Sequence, residues 1–307
     1  MSDLIAVAKN DIKKGSKSFA LASFFFSQNQ KEAAWKLYAW CRYCDDVIDH
    51  SANLQEAQIQ VHDLIKKTEA CYAMNPPTEH PWPSFSQVIH ENKIPKKYPL
   101  DLLRGFQIDA MGTGIKDREE LMDYCYCVAG TVGLMMCHVM GISHTKALQH
   151  AVSLGCAMQM TNIARDINDD YKMGRVYLPD TWLAEKGLNR ADFFQPEFRQ
   201  DLKPVVQRLM WEADSLYAEG RSGLSYLSLR SAWAVCIALH VYRDIGRQVV
   251  DQTSSENQEL FQQRIIVSPK RKFVLLIKAS FDILRLWPSR WFQPWKKIEH
   301  SEIWSDL

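Results

Sequence analysis

The sequence predicts an all-α fold, and three observations carry that expectation. Apolar residues recur at three- and four-residue steps through most of the 307 residues, the spacing of one helical face. No sustained two-residue alternation, tandem repeat or low-complexity tract interrupts them. Chain breakers are scarce: 13 glycines and 12 prolines fall below the ordinary combined share of about 12% and disfavour a turn-rich β-sandwich. The length allows one large or two small domains. The reading is one domain over residues 1–307, with 287–307 as a tail suited to a membrane surface.

The first helix is expected from Gln30 to Asp49, where Ala33, Ala34, Leu37, Tyr38, Cys41, Cys44 and Ile48 keep the period. A second, Asn53 to Tyr72, carries Leu54, Ala57, Val61, Leu64 and Ile65 on one stripe. Clustered prolines from Asn75 to Pro83 cannot continue a helix and mark a loop. Further helices are expected at Ser84–Glu91, Leu100–Ala110, Arg118–Met140, Thr145–Tyr171, Leu202–Ala218, Ala232–Val250 and Arg271–Leu286, with a loop at Tyr171–Arg175. Between Asp123 and Lys146 there is no Asp, Glu, Lys or Arg, a run long enough to raise a membrane span. Its three glycines, Thr131 and His138 make it only moderately apolar, and Ala151–Ala164, equally poor in charge, follows. Two such helices in succession suit the centre of an all-α fold, apolar on all sides, where they could line a cavity for a long apolar ligand.

Charge and cysteine bound the function. With 37 basic and 36 acidic residues and a net charge of +1, the chain is no nucleic-acid binder held by bulk charge. At 47% hydrophobic it is no acidic disordered tail. Eight cysteines could suggest disulfides, but the start Met1-Ser2-Asp3 lacks a basic n-region and an apolar h-region. Reduced thiols in the cytoplasm are expected. Cys41-x-x-Cys44 and Cys125-x-Cys127 read better as small apolar residues inside helices than as zinc ligands.

Charge must then act locally, and two acidic clusters stand out: Asp45-Asp46-Val47-Ile48-Asp49, and Asn162 through Asp170. Positions i and i+4 share a helical face, so Asp45 pairs with Asp49, and Asn162, Asp166 and Asp170 form a stripe. Like charges so placed destabilise a helix by a few tenths of a kcal/mol, and burial unpaired costs far more. A polyvalent cation removes both penalties. Oxygen-only ligands point to Mg²⁺ or Mn²⁺, whose shell is commonly completed by water and substrate phosphate. Arg42, Arg165, Lys172 and Arg175 adjoin the clusters, and Arg suits phosphate oxygens. The alternative is two solvated faces with i,i+4 pairs. Two aspartate-rich helices flanking two uncharged ones favour the cation. The implied chemistry is departure of diphosphate, with the carbocation kept from water by an apolar wall and steadied by aromatic faces. The residues alone indicate an enzyme acting on allylic isoprenoid diphosphates.

From Gly15-Ser16-Lys17-Ser18-Phe19 to about Arg264 the chain resembles the bacterial, phytoene-forming branch of the squalene/phytoene synthase family. The motifs are Tyr38-Ala39-Trp40-Cys41-Arg42 before Asp45–Asp49, the run Tyr124 to Gly133, Gln159 to Asp166, and Gly174-Arg175-Val176-Tyr177-Leu178-Pro179. A lone DDxxD would also fit chain-elongating prenyltransferases, but the Arg-Arg-Gly that usually follows it there is missing. The resemblance implies an isoprenoid-synthase helical bundle around a central cavity. It implies head-to-head condensation of two geranylgeranyl diphosphates through prephytoene diphosphate to phytoene, with no nicotinamide cofactor. Asp45, Asp49, Asn162, Asp166 and Asp170 would bind metal. Ser16, Ser18, Arg42, Arg165, Tyr242 and Arg264 would contact diphosphate. Tyr124 would stand near the reacting carbons, and Phe19, Val128, Val132, Gly133 and Gln159 would line the cavity, although ordinary core explains the apolar ones equally. Ser23, one turn after Phe19, leaves room for a C20 tail. The Trp- and cation-rich stretch Arg285–Lys297 is either a peripheral contact at the inner face of the membrane or a packed tail. Two other readings stay open: a C15 enzyme making dehydrosqualene or squalene, and a non-catalytic helical assembly factor, which the intact acidic motifs disfavour.

Overall fold

The computed structural model describes residues 25–253, 261 and 264–292, with side chains through Leu286. Ser16, Ser18, Phe19, Ser23 and the side chains of 287–307 lie outside the described residues. The described residues hold helices and no strand. The helices are α1 (Gln28–Asp49), α2 (Leu54–Tyr72), α3 (Trp82–Glu91), α4 (Lys97–Met111), α5 (Arg118–Cys125), α6 (Thr131–Val139), α7 (Thr145–Lys172), α8 (Asp180–Ala184), α9 (Arg199–Ser222), α10 (Leu229–Thr253) and α11 (Pro269–Phe292).

Local chemistry sets several boundaries. Ser27 and Gln30 form a reciprocal capping box at the start of α1, satisfying backbone donors that the first turn leaves free. Asn53 and Asp117 cap α2 and α5 through the N–H groups of Glu56 and Glu120. α7 runs the length of the bundle and packs against α6, α9 and α10, while α1 to α4 form the opposite side. Trp40, Trp82 and Phe85 are wholly buried there, Trp40 stacked on Phe85 at 4.1 Å between ring centres. Each such ring contributes on the order of 2–3 kcal/mol through the area it removes from water. α11 lies against α10 over a separate apolar seam of Ile237, Val241, Leu275, Ala279 and Ile283.

The one long helix expected over Arg118–Met140 is interrupted. Tyr126–Gly130 winds as a π-helical turn between α5 and α6. Such turns insert a residue into the ladder and re-aim side chains. Where this segment crosses α7 the backbones nearly touch: a Cβ on Gly155 would sit 2.5 Å from the Ala129 carbonyl oxygen, and one on Gly133 would sit 2.6 Å from that of Ala151. Glycine at these crossings lets the two segments approach backbone to backbone. No described helix is long and apolar enough to cross a membrane. The eight cysteines are free, and those of the two suspected zinc pairs lie in α1 and in the α5–π segment.

Candidate active site

α1 and α7 bring the two acidic stripes to one cavity. Its walls include Asp45 and Asp49 from α1, Asn162, Asp166, Asp169 and Asp170 from α7, and Asp109 from α4. Arg42, Arg165, Arg175 and Arg264 join them. This polar cavity, about 500 Å³, meets an apolar one of about 360 Å³. Tyr38, Cys41, Val128, Val132, Gln159 and Asn162 border both. From Asn162 the apolar cavity follows α7 back to Ala147, about four helical turns or ~22 Å at 1.5 Å per residue. Val128, Val132, Gly133 and Gln159 line it, and so does Tyr242, which the resemblance assigns to the diphosphate and which does not border the polar cavity.

The arginines sit on the acids. Arg42 binds Asp45 at 2.8 Å and Asp46 at 2.5 Å. Arg175 donates to Asp49 at 2.6 Å, tying the loop after α7 to α1. Arg165 forks onto Asp166, and Arg264 approaches the same carboxylate at 3.0 and 3.1 Å. Arg165 and Arg264, expected at diphosphate, both pair with Asp166. The pairing remains incomplete: six carboxylates face four guanidiniums across the polar cavity. Burial, then the charge of Asp49, pushes Asp45 up to about 7. Burial, then Asp166, pushes Asp170 up to about 8. Asn162 adds a different signal. Its Oδ1 is buried and accepts no hydrogen bond, while its Nδ2 donates to Gln159 at 3.3 Å. An orphaned carbonyl oxygen between crowded carboxylates is a donor set for a hard divalent cation, with oxygen ligands only.

A second cluster lines the polar cavity. Tyr124 and Tyr177 stack at 4.8 Å and 19°. Their hydroxyls both donate to Asp109, at 3.3 Å from Tyr124 and 2.8 Å from Tyr177. Burial raises both phenols well above their ordinary range. It also raises Asp109 to about 6, against the lowering effect of the Tyr177 hydrogen bond and Arg175. Sequence reasoning placed Tyr124 here but missed Asp109, and Tyr177 was noted only as part of a motif. The available signal was Asp101 and Asp109, eight residues apart on one face of an apolar helix. Asp101 in turn accepts from Tyr126 at 2.7 Å.

Comparison with known proteins agrees with this geometry. Residues 12–271 match the squalene/phytoene synthase family. A 15-cis-phytoene synthase of Pantoea ananas is 40% identical over 278 residues, 88% of this chain and 89% of that protein. A 15-cis-phytoene synthase of Paracoccus sp. is 36% identical over 291 residues, 93% of each chain. The crystal structure of a dehydrosqualene synthase in complex with ligand superposes with a TM-score of 0.82 at 28% identity, over 92% of this chain and 98% of that one. The expected isoprenoid-synthase bundle around a central cavity is the observed fold. By its sequence, its fold and the paired acidic stripes, the chain belongs to the squalene/phytoene synthase family.

Proposed function

We propose that the protein condenses two geranylgeranyl diphosphates head to head, through prephytoene diphosphate, to phytoene. The observation that carries this reading is the junction of a carboxylate- and arginine-lined cavity with an apolar one about four helical turns deep. The names of the relatives support the product. Asp45, Asp49, Asn162, Asp166 and Asp170 would hold Mg²⁺ or Mn²⁺, which, when bound, neutralises the departing diphosphate. Arg42, Arg165, Arg264 and Tyr242 would then turn toward the diphosphate oxygens, with Ser16 and Ser18 contributing from the N-terminal segment. Arg exchanges one oxyanion partner for another without changing its charge or its fork. Phe19 would join the cavity wall.

Each half-reaction removes one diphosphate and one proton and transfers no electron pair to an outside acceptor, so a nicotinamide has no part in it. The stacked Tyr124–Tyr177 pair would present an aromatic face to the allylic cation. Asp109 would hold both hydroxyls by their protons, leaving their oxygen lone pairs toward the substrate. The apolar wall keeps water from the cation. Residues 1–307 would act as one domain. The enzyme would be cytoplasmic and touch the inner face of the membrane, because substrate tail and product are lipids.

The test supplies C15 and C20 diphosphates with Mg²⁺, with and without NADPH, and identifies the hydrocarbon. Phytoene from C20, independent of NADPH, is the expected result. A C15-derived hydrocarbon would favour the second reading, which the likeness to a dehydrosqualene synthase supports. No hydrocarbon from either would refute both.

A further inference from the structure

α11 presents two unlike faces. Its inner face is pinned to the bundle. Asp282 is held by His240 at 2.8 Å and Arg221 at 3.0 Å. Arg271 forks onto Asp244 of α10 at 2.7 and 2.8 Å. Leu275, Ala279 and Ile283 are buried between these pairs. These contacts fix which side of the helix looks outward.

That outward side is apolar. Phe273, Val274, Ile277, Phe281 and Leu284 are each between 43% and 65% exposed. At 3.6 residues per turn they fall within an arc of about 100°, the width of a face meant to be covered. Lys270 stands at the start of the arc, and Lys278 and Arg285 along one flank, all exposed. Asp282 is the only acid in α11, and it points inward to His240 and Arg221. The outward face therefore offers apolar side chains and positive charge without a compensating carboxylate of its own helix.

We propose that this face of α11 docks on the anionic headgroup surface of a phospholipid bilayer, with its apolar stripe entering the headgroup–acyl boundary. Aromatic and aliphatic residues with flanking Lys and Arg are the composition of a helix lying in that plane. An apolar protein partner would not account for the cations. The sequence after Leu286 goes on with Trp287, Arg290, Trp291, Trp295, Lys296 and Lys297, a mixture enriched at lipid interfaces. The placement also suits the cavity. Leu224 and Leu227 belong both to the apolar cavity wall and to the α10–α11 seam, so the dry end of the cavity lies one helix away from the proposed bilayer contact. The inference deepens the membrane contact proposed above and rests on that reading only for its purpose.

The test uses the full chain with vesicles of phosphatidylcholine containing phosphatidylglycerol, read by flotation. The wild type should float with these vesicles, less so in high salt, and not with pure phosphatidylcholine. Phe273→Ser with Phe281→Ser, and separately Lys270→Glu with Lys278→Glu, should each lower partitioning by roughly tenfold or more. Both variants should keep wild-type turnover in detergent without vesicles, a measurement that fails separately if the proposed reaction is wrong. Hydrogen exchange of the wild type should slow across residues 273–285 when anionic vesicles are added, an observation that needs no variant. Unchanged flotation of the variants, no flotation of the wild type, or absence of that protection would overturn the proposal. So would a concentration-dependent dimer in sedimentation that the Phe273→Ser/Phe281→Ser pair abolishes, since the face would then be covered by a second copy.

Discussion

Asp109→Asn isolates the part of the site that the sequence concealed. Asp109 accepts hydrogen bonds from Tyr177 at 2.8 Å and Tyr124 at 3.3 Å. Asparagine keeps one oxygen but replaces the other with an NH₂ group, which cannot accept. One phenol must lose its partner. A hydrogen bond to a charged group contributes about 1.5–3 kcal/mol. If that loss falls on the transition state alone, kcat drops roughly 10- to 150-fold at 1.4 kcal/mol per decade. The longer Tyr124 bond should be the weaker one, so Tyr124→Phe tests the ring and its hydroxyl separately. The double variant should cost about as much as the larger single one, because both act through one contact. The pH profile gives a second readout. Asp109 is raised to about 6, so its accepting, ionised form is lost as pH falls through about 6, and kcat/KM should fall with it. Asp109→Asn should flatten that limb. The assay is diphosphate release at saturating Mg²⁺ across pH, with a thermal melt to show that the variant folds. A folded Asp109→Asn enzyme within twofold of wild type and with an unchanged acid limb would refute the assigned positioning.

Other outcomes follow from the same geometry. Asp45 and Asp170 stand at about 7 and about 8 against an unfolded value of about 3.9. Between those limits the unfolded chain binds fewer protons, so the metal-free protein should lose stability as pH rises from about 4 to about 8; melting with and without Mg²⁺ across pH should show this slope, reduced by the cation. Gly155→Ala should destabilise the fold despite alanine's helix propensity. Its Cβ would meet the Ala129 oxygen at 2.5 Å and Gly130 Cα at 2.9 Å, and backbone overpacking at the upper end of about 1–3 kcal/mol outweighs a propensity gain of about 1 kcal/mol; urea unfolding would measure it. Ala151→Phe, on the wall of the apolar cavity, should lower the ratio of C20 to C15 kcat/KM by roughly tenfold or more, measured by competing the two substrates.

The acidic stripes were legible because i,i+4 spacing turns sequence directly into a shared face, and α1 and α7 kept that register. The cavity-lining residues Val128, Val132, Gly133 and Gln159 were found through family motifs, and the π turn that carries Val128 was not. An uncharged apolar run has no periodic contrast, so a single inserted residue leaves no trace in it. Asp109 escaped because no acid stands three or four residues from it in α4, and its meaning comes from Tyr124 and Tyr177, 15 and 68 residues away. The partners of Arg165 and Arg264 also escaped, since sequence names a cation but not the anion it holds. Helix ends shifted by a few residues where capping decided them, as at Ser27.

The central claim is that the two stripes form one cation and diphosphate site at the mouth of the apolar cavity. The most direct measurement is anomalous diffraction from crystals grown with Mn²⁺ and a non-cleavable C20 thiodiphosphate. Mn²⁺ should lie among Asp45, Asp49, Asn162, Asp166 and Asp170, with Arg165 or Arg264 moved from Asp166 to the diphosphate and the tail running along α7 toward Ala147. Mn²⁺ bound elsewhere, or a diphosphate remote from both stripes, would contradict the account.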